Sequence, residues 1–374
     1  MRKKERERER ERERDMASEG VVDYLDLVGD TPMVKLPERV LPEEARGVRV
    51  LLKMEMQNPG GSVKDRIAKN MIETLEKKGL INENSTLVEY TSGNTGIGLA
   101  MCCAAKGYKC IIIMPQMPSY LERYIICRQF GAQVHLTAPA LGLPGLQAHL
   151  EKLLKENPSY VFTNQFQSDA NPAAHFGTTG PEIWSQTGGD IDYFVAGVGT
   201  GGTINGAGRF LKEKKPEMKV VVVEPTESRV LQGESHTAHS ILGIGAGVQV
   251  PFIEMLEPGA EFKEGPRGIV DEFCHATSAD ATQCAATLAA KAGMMIGPSA
   301  GAAVKVAIDI AKRPEAKGKT IVVICASHGI RYTAHPLWEA AKAEAIQALP
   351  SPPNMSKDET LLWTSPETLV TSST

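Results

Sequence analysis

Short runs of β-branched and aliphatic residues, each followed by a helix-length segment, recur along most of this chain, and that alternation restricts the fold more than any other feature. Thr86-Leu-Val-Glu89, Cys110 to Met114, Tyr193 to Ala196, Lys219 to Val223 and Thr320 to Cys325 are the candidate strands. Their length and β-branched content favour strands over helices. Candidate helices are Asp65 to Lys78, Thr95 to Ala105, Tyr120 to Gly131, Gly201 to Lys214, Ala279 to Ala292 and Gly301 to Ala311. Strands spaced by helices of this length need crossover connections, so an α/β fold with parallel-rich sheets flanked by helices is expected. Ligands on such sheets bind where strands end and helices begin.

The chain has 374 residues, more than one hydrophobic core usually holds, which predicts two domains around a cleft. We place them at residues 16–168 and 169–348. Residues 1–15, dominated by alternating Glu and Arg, read as a charged tail, and the Pro-, Ser- and Thr-rich residues 349–374 as a second tail. A formal net charge of -4 gives no electrostatic reason to expect nucleic acid or a membrane as partner. No uncharged run reaches the roughly 20 apolar residues of a membrane helix, and no secretory leader is visible, so a soluble, cytoplasmic protein is expected. Organellar targeting by the N-terminal run stays open. The seven cysteines form no CxxC pair and read as reduced, buried thiols. The eight histidines show no HExxH spacing, and His236 and His239 lie among Gly and Ser, as in a loop, so no metal is expected.

Three segments carry chemistry. Gly197-Val-Gly199-Thr200-Gly201-Gly202-Thr203 follows a strand and opens a helix, where backbone N–H groups and the helix dipole suit a phosphate. Gly197, Gly199 and Gly202 also satisfy GxGxxG, with Glu224 at the end of the next strand where a ribose-binding acid belongs. A nicotinamide dehydrogenase is therefore a rival reading, and glycines serving only a tight turn are a third. Tyr90-Thr91-Ser92-Gly93-Asn94-Thr95-Gly96 crowds hydroxyls and an amide onto another helix start, more groups than a single N-cap requires, and reads as a carboxylate cradle. Asn58-Pro59-Gly60-Gly61-Ser62-Val63-Lys64-Asp65-Arg66 places one lysine at the mouth of an amphipathic helix. Such a lysine is an ordinary surface residue unless its amine is desolvated, in which case it becomes a nucleophile.

Taken together, Asn58 to Arg66, Thr91 to Gly96, Gly199 to Thr203, Gly243-Ile-Gly245-Ala-Gly247 and Gly297-Pro-Ser299-Ala-Gly301 resemble, in order and approximate spacing, the cysteine synthase and cystathionine β-synthase family, over about Tyr24 to Pro336. The resemblance implies a two-domain fold of the tryptophan synthase β-subunit type (fold type II) with pyridoxal 5'-phosphate in the cleft. It also implies a homodimer able to bind serine acetyltransferase. Lys64 then resembles the Schiff-base lysine, Asn94 the partner of the cofactor's ring hydroxyl, Gly199, Thr200, Gly201, Gly202 and Thr203 the phosphate loop, and Ser299 the group facing the pyridine nitrogen. Thr91, Ser92, Asn94 and Thr95, with Gln165, resemble the substrate-carboxylate loop, with Gly243 opposite. The implied reaction replaces the acetoxy group of O-acetylserine by sulfide.

Some positions depart from the commonest pattern. Tyr124 stands where a second arginine is usual, Pro298-Ser299-Ala300 resembles cystathionine β-synthases, and Met117-Pro118-Ser119-Tyr120 is similar to plant cyanoalanine synthases. Homocysteine and cyanide are therefore alternative nucleophiles. A non-catalytic paralogue that only binds serine acetyltransferase would have no use for Lys64 and Ser299.

Overall fold

The computed structural model describes residues 22–245, 247, 250–253 and 269–348. The Glu-Arg run, the 349–374 segment and Ala246 of the Gly243–Gly247 motif lie outside the described residues. Among the described residues ten strands form two sheets. The smaller has the order β5-β4-β3-β6, built from β3 (Thr86–Tyr90), β4 (Lys109–Pro115), β5 (Gln133–Thr137) and β6 (Tyr160–Phe162), all parallel. The larger has the order β1-β2-β10-β7-β8-β9, with β1 (Met33–Lys35), β2 (Arg49–Lys53), β7 (Tyr193–Gly197), β8 (Lys219–Pro225), β9 (Glu272–Ala276) and β10 (Thr320–Ile324). Only β1 runs antiparallel to its neighbour.

The chain begins on the larger sheet, leaves it to build the smaller one, and returns. It therefore crosses between the sheets twice, where the 16–168 and 169–348 division allows for one crossing. Both sheets are covered on both faces. Along β7, β8 and β10 the alternate residues Tyr193, Val195, Val221, Val223, Ile321 and Val323 face α8 (Ser278–Ala292) and α9 (Pro298–Ala311). Their neighbours Phe194, Val220, Val222 and Val322 pack with Ile183 and Leu211 on the other side. In the smaller sheet Leu87 and Ile112 meet Ile67 and Met71 of α1 (Lys64–Lys77) and Leu99 of α2 (Asn94–Lys106). Val88, Ile111 and Ile113 face Leu146 and Leu150 of α4 (Gly142–Glu156), which follows α3 (Leu121–Gln129). Burial on both faces is why these strands read as continuous apolar runs.

All five expected strands are present within a residue or two of their expected ends. The Gly201 to Lys214 helix needs correction: a π turn at Ile204–Gly208 precedes α7 (Arg209–Lys214). A second π turn, His175–Thr179, separates α5 (Ala170–Ala174) from α6 (Gly180–Thr187). The two π turns meet at Gly206, where a Cβ would collide with the Pro172 carbonyl and lie 2.7 Å from His175 Cβ. Close approach of two backbones, which helical periodicity does not encode, makes this arrangement. The short α10 (Glu339–Ala348) forms a separate unit.

Candidate active site

The parallel strands of the two sheets end at one cleft of about 510 Å³, within the usual range for small-molecule sites. β3 delivers Thr91 to Thr95, β7 delivers Gly199 to Thr203, and the start of α1 delivers Lys64. Gln165, Gly243 and Ser299 complete the lining, so every site residue expected from the sequence reaches this one cleft. Among the described residues Lys64 and Arg123 are its cations and no carboxylate lines it, which suits anionic ligand groups. A second, surface groove of about 710 Å³ beside Tyr24 and Phe130 receives none of these loops.

Lys64 is the first residue of α1 and its amine makes no hydrogen bond or ion pair to any described residue. Burial pulls its pKa down to about 8 against the opposing pull of Glu55. A fraction of the amine is therefore neutral near pH 7, as a nucleophile or base requires.

The glycine loop is shaped by close contacts. Gly201 has φ +86, and a Cβ there would come 2.7 Å from Val250 Cγ1. A Cβ on Gly199 would lie 2.5 Å from the Gly243 carbonyl oxygen, so the loop and the opposite wall touch through bare backbone. Asn171 Nδ2 donates to the Thr200 hydroxyl (2.9 Å) and to the Gln165 carbonyl (2.7 Å). Thr203 pairs with His175 Nε2 at 3.3 Å.

On the facing side, Thr95 Oγ1 donates to Gln165 Oε1 at 2.6 Å. Asn94 Nδ2 donates to the Tyr332 hydroxyl at 3.1 Å, and its Oδ1 accepts from Arg331 at 3.0 Å. An amide nitrogen carries two hydrogens, so one remains for a ligand. The Ser299 hydroxyl, at the start of α9, bonds to no described residue, and Gly243 lies near it.

The dehydrogenase reading fails at Glu224. That carboxylate is buried away from the cleft, accepting from the Leu231 backbone (2.8 Å) and from Gln232 Nε2 (3.1 Å), and so anchors a turn of its own chain. All seven cysteines are unpaired; five are buried, while Cys274 and Cys284 are only half-buried. None of them lines the cleft.

Sequence reasoning missed Arg123, Tyr332 and His236 as lining residues. The Arg123 guanidinium stacks over the Tyr332 ring at 5.0 Å, and the Tyr332 hydroxyl meets Ser327 Oγ at 2.7 Å. Arg331-Tyr332 lies beyond the last strand, in the Ser327 to Tyr332 segment that departs from the usual Gly-Glu-Arg-Tyr end of the family, and that resemblance is the signal that marks it.

A cleft with two cations, a glycine loop at a helix start and one desolvated lysine suits an anionic ligand that can react with an amine. In agreement, residues 24–327 match the family of pyridoxal-phosphate dependent enzymes, and the chain belongs to that family. Its relatives narrow the class. A cysteine synthase from Staphylococcus aureus is 43% identical over 324 residues, 86% of this chain and 99% of that one. Among solved structures, a cysteine synthase from Entamoeba histolytica is 39% identical with a TM-score of 0.77, covering 85% of this chain and 91% of that one. An O-acetylserine dependent cystathionine β-synthase from Helicobacter pylori is 32% identical with a TM-score of 0.76, covering 85% and 99%. The fold is thus that of fold type II enzymes. The donor set fits the cofactor: a free lysine amine, a glycine loop at a helix start, an unengaged Ser299 hydroxyl and no carboxylate.

Proposed function

We propose that this enzyme is a cysteine synthase, converting O-acetyl-L-serine and sulfide to L-cysteine and acetate. The observation that carries the reading is the convergence of Lys64, the Thr91–Thr95 loop and the Gly199–Thr203 loop on one cleft, in a chain over 40% identical to a cysteine synthase. When bound, the cofactor supplies an electron sink for negative charge at the substrate Cα. Gly199, Thr200, Gly201, Gly202 and Thr203 would hold its phosphate, with Ser299 and Asn94 as the polar groups for its ring. A neutral serine hydroxyl leaves the ring nitrogen without the carboxylate that would keep it protonated, which favours elimination at Cβ over deeper carbanion chemistry.

Thr91, Ser92, Asn94 and Thr95 bind the substrate carboxylate, with Gln165 behind Thr95 and Gly243 leaving room opposite. Lys64 would hold the cofactor in the resting enzyme, and its desolvated amine would take the substrate Cα proton. Acetate departs from Cβ, sulfide adds there, and Lys64 returns the proton to Cα. Closure of the Thr91–Thr95 loop excludes water between the two halves of the reaction. Homodimerisation and docking of serine acetyltransferase belong to the same proposal and rest on the motif resemblance; light scattering with and without that partner tests both.

The experiment is the visible absorption of the purified protein before and after O-acetylserine, with Lys64→Ala as control. A band that shifts with O-acetylserine and reverts with sulfide, and that Lys64→Ala lacks, is expected. A protein that takes up no pyridoxal phosphate would sink the reading. The likeness to a cystathionine β-synthase sets the second reading: if homocysteine outcompetes sulfide in product analysis, that activity replaces the first.

A further inference from the structure

Glu89 is the last residue but one of β3, fully buried, two residues ahead of the Thr91–Thr95 loop in sequence, and outside the cleft lining. Its Oε2 accepts from Thr163 Oγ1 at 2.6 Å and from the Gln165 backbone N–H at 3.1 Å. Between these two residues Asn164 sits at φ +52, a left-handed conformation that asparagine tolerates better than most residues other than glycine. The carboxyl therefore clasps both ends of this left-handed turn. That turn aims Gln165, whose side chain receives Thr95 Oγ1 and whose carbonyl receives Asn171, itself tied to Thr200. Gln165 is joined by hydrogen bonds to the carboxylate loop and, through Asn171, to the glycine loop, and Glu89 holds it by its backbone.

The second oxygen, Oε1, is buried and has no hydrogen-bond partner. An ionised carboxylate would leave full charge there, whereas a protonated one does not. On the face of β3 that carries Glu89 lies the Cys110 thiol of β4, while the Tyr90 phenol points to the opposite face and the Thr163–Gln165 turn presents no titratable group. Burial pushes Glu89 up to about 7, against the hydrogen bonds from the Thr163 hydroxyl and from the Gln165, Tyr90 and Asn164 backbone N–H groups.

We infer that Glu89 is a positioning residue for the amino-acid substrate: held with its proton, it locks the Asn164 turn so that Gln165 and Thr95 present a formed carboxylate cradle. This rests on the function proposed above. Above the pH at which Glu89 loses its proton, the buried charge loosens the turn and weakens amino-acid binding.

The test compares cofactor-loaded wild type, Glu89→Gln and Glu89→Ala, reading KM and kcat for O-acetylserine and, separately, L-serine binding by calorimetry from pH 6 to 8.5. Glu89→Ala should raise KM about tenfold, the equivalent of about 1.4 kcal/mol, with a smaller change in kcat. Glu89→Gln keeps an acceptor for Thr163 and Gln165, so it should bind like wild type at pH 6 and lack wild type's weakening toward pH 8.5. Equal losses in both variants, or a wild-type and Glu89→Gln pH profile that coincide, overturn the inference. If Glu89→Ala does not fold, the Glu89→Gln profile decides alone. Wild type that binds neither amino acid would instead overturn the function itself, and is recognised before any variant is read.

Discussion

Lys64 shows how one residue's chemistry follows from where its helix starts. At the mouth of α1, in a cleft without carboxylates, its free amine is desolvated and its pKa falls to about 8. In the unfolded chain it titrates near 10.5. Between these values the unfolded state holds more protons than the native one, so this group makes stability rise with pH across that window. Below about 8 the burial penalty is present in full. Cofactor-free Lys64→Met should therefore be more stable than cofactor-free wild type at pH 7, and the gap should close toward pH 10.5. Urea unfolding at pH 7, 9 and 10.5 measures it, and a constant gap would refute the assignment.

At the scale of elements, the glycine loop links sequence to function most directly. Gly201 needs a positive φ and sits against Val250 and Ile253. Gly201→Ala should cost about 1–2 kcal/mol from the left-handed conformation alone, and the methyl group must displace Val250. The variant should therefore release pyridoxal phosphate on dialysis that leaves wild type yellow, read from visible absorbance. The same scale shows what the sequence made legible. Strands buried on both faces and helices with one apolar face announced themselves, as did loops whose composition is set by their ligand. The half-exposed β5 (Gln-Val-His-Leu-Thr) and the three-residue β6 carry too little pattern to be read. The π turn at Ile204 was hidden because its cause is Pro172 and His175, about 30 residues away in sequence. Tyr332 and Arg123 reach the cleft by tertiary contact alone. Glu89 gave a strand residue no distinguishing mark, since its meaning lies in the turn at Asn164.

Across the whole molecule, one buried ion network ties the catalytic helix to the larger sheet. Arg66 of α1 donates to both oxygens of Glu55 (2.6 and 2.7 Å) and to both oxygens of Glu182 on α6 (2.6 and 2.7 Å). Lys53 of β2, fully buried, reaches Glu182 at 2.6 Å and the Thr31 carbonyl at 2.6 Å. Burial alone would push Glu55 up, but the Arg66 guanidinium outweighs it, with Thr31 and Lys53 assisting, and holds the carboxyl below its usual range. Replacing such a pair with apolar residues can be neutral, whereas removing one partner strands a buried charge. Arg66→Met should accordingly lose about 3–5 kcal/mol in urea unfolding at pH 7, and Glu55→Gln added to it should recover part of that loss. The pH dependence follows from the same charges. In wild type the depressed Glu55 and Glu182 stabilise the fold above the ordinary carboxylate range, and that stability is lost as pH falls through their lowered values. Without Arg66, burial dominates Glu55 and raises it, so the native variant gains a proton before the unfolded chain does. The stability difference between wild type and Arg66→Met should then shrink as pH is lowered from 7 toward 4. A difference that stays constant over that range would mean the network acts by packing rather than by charge.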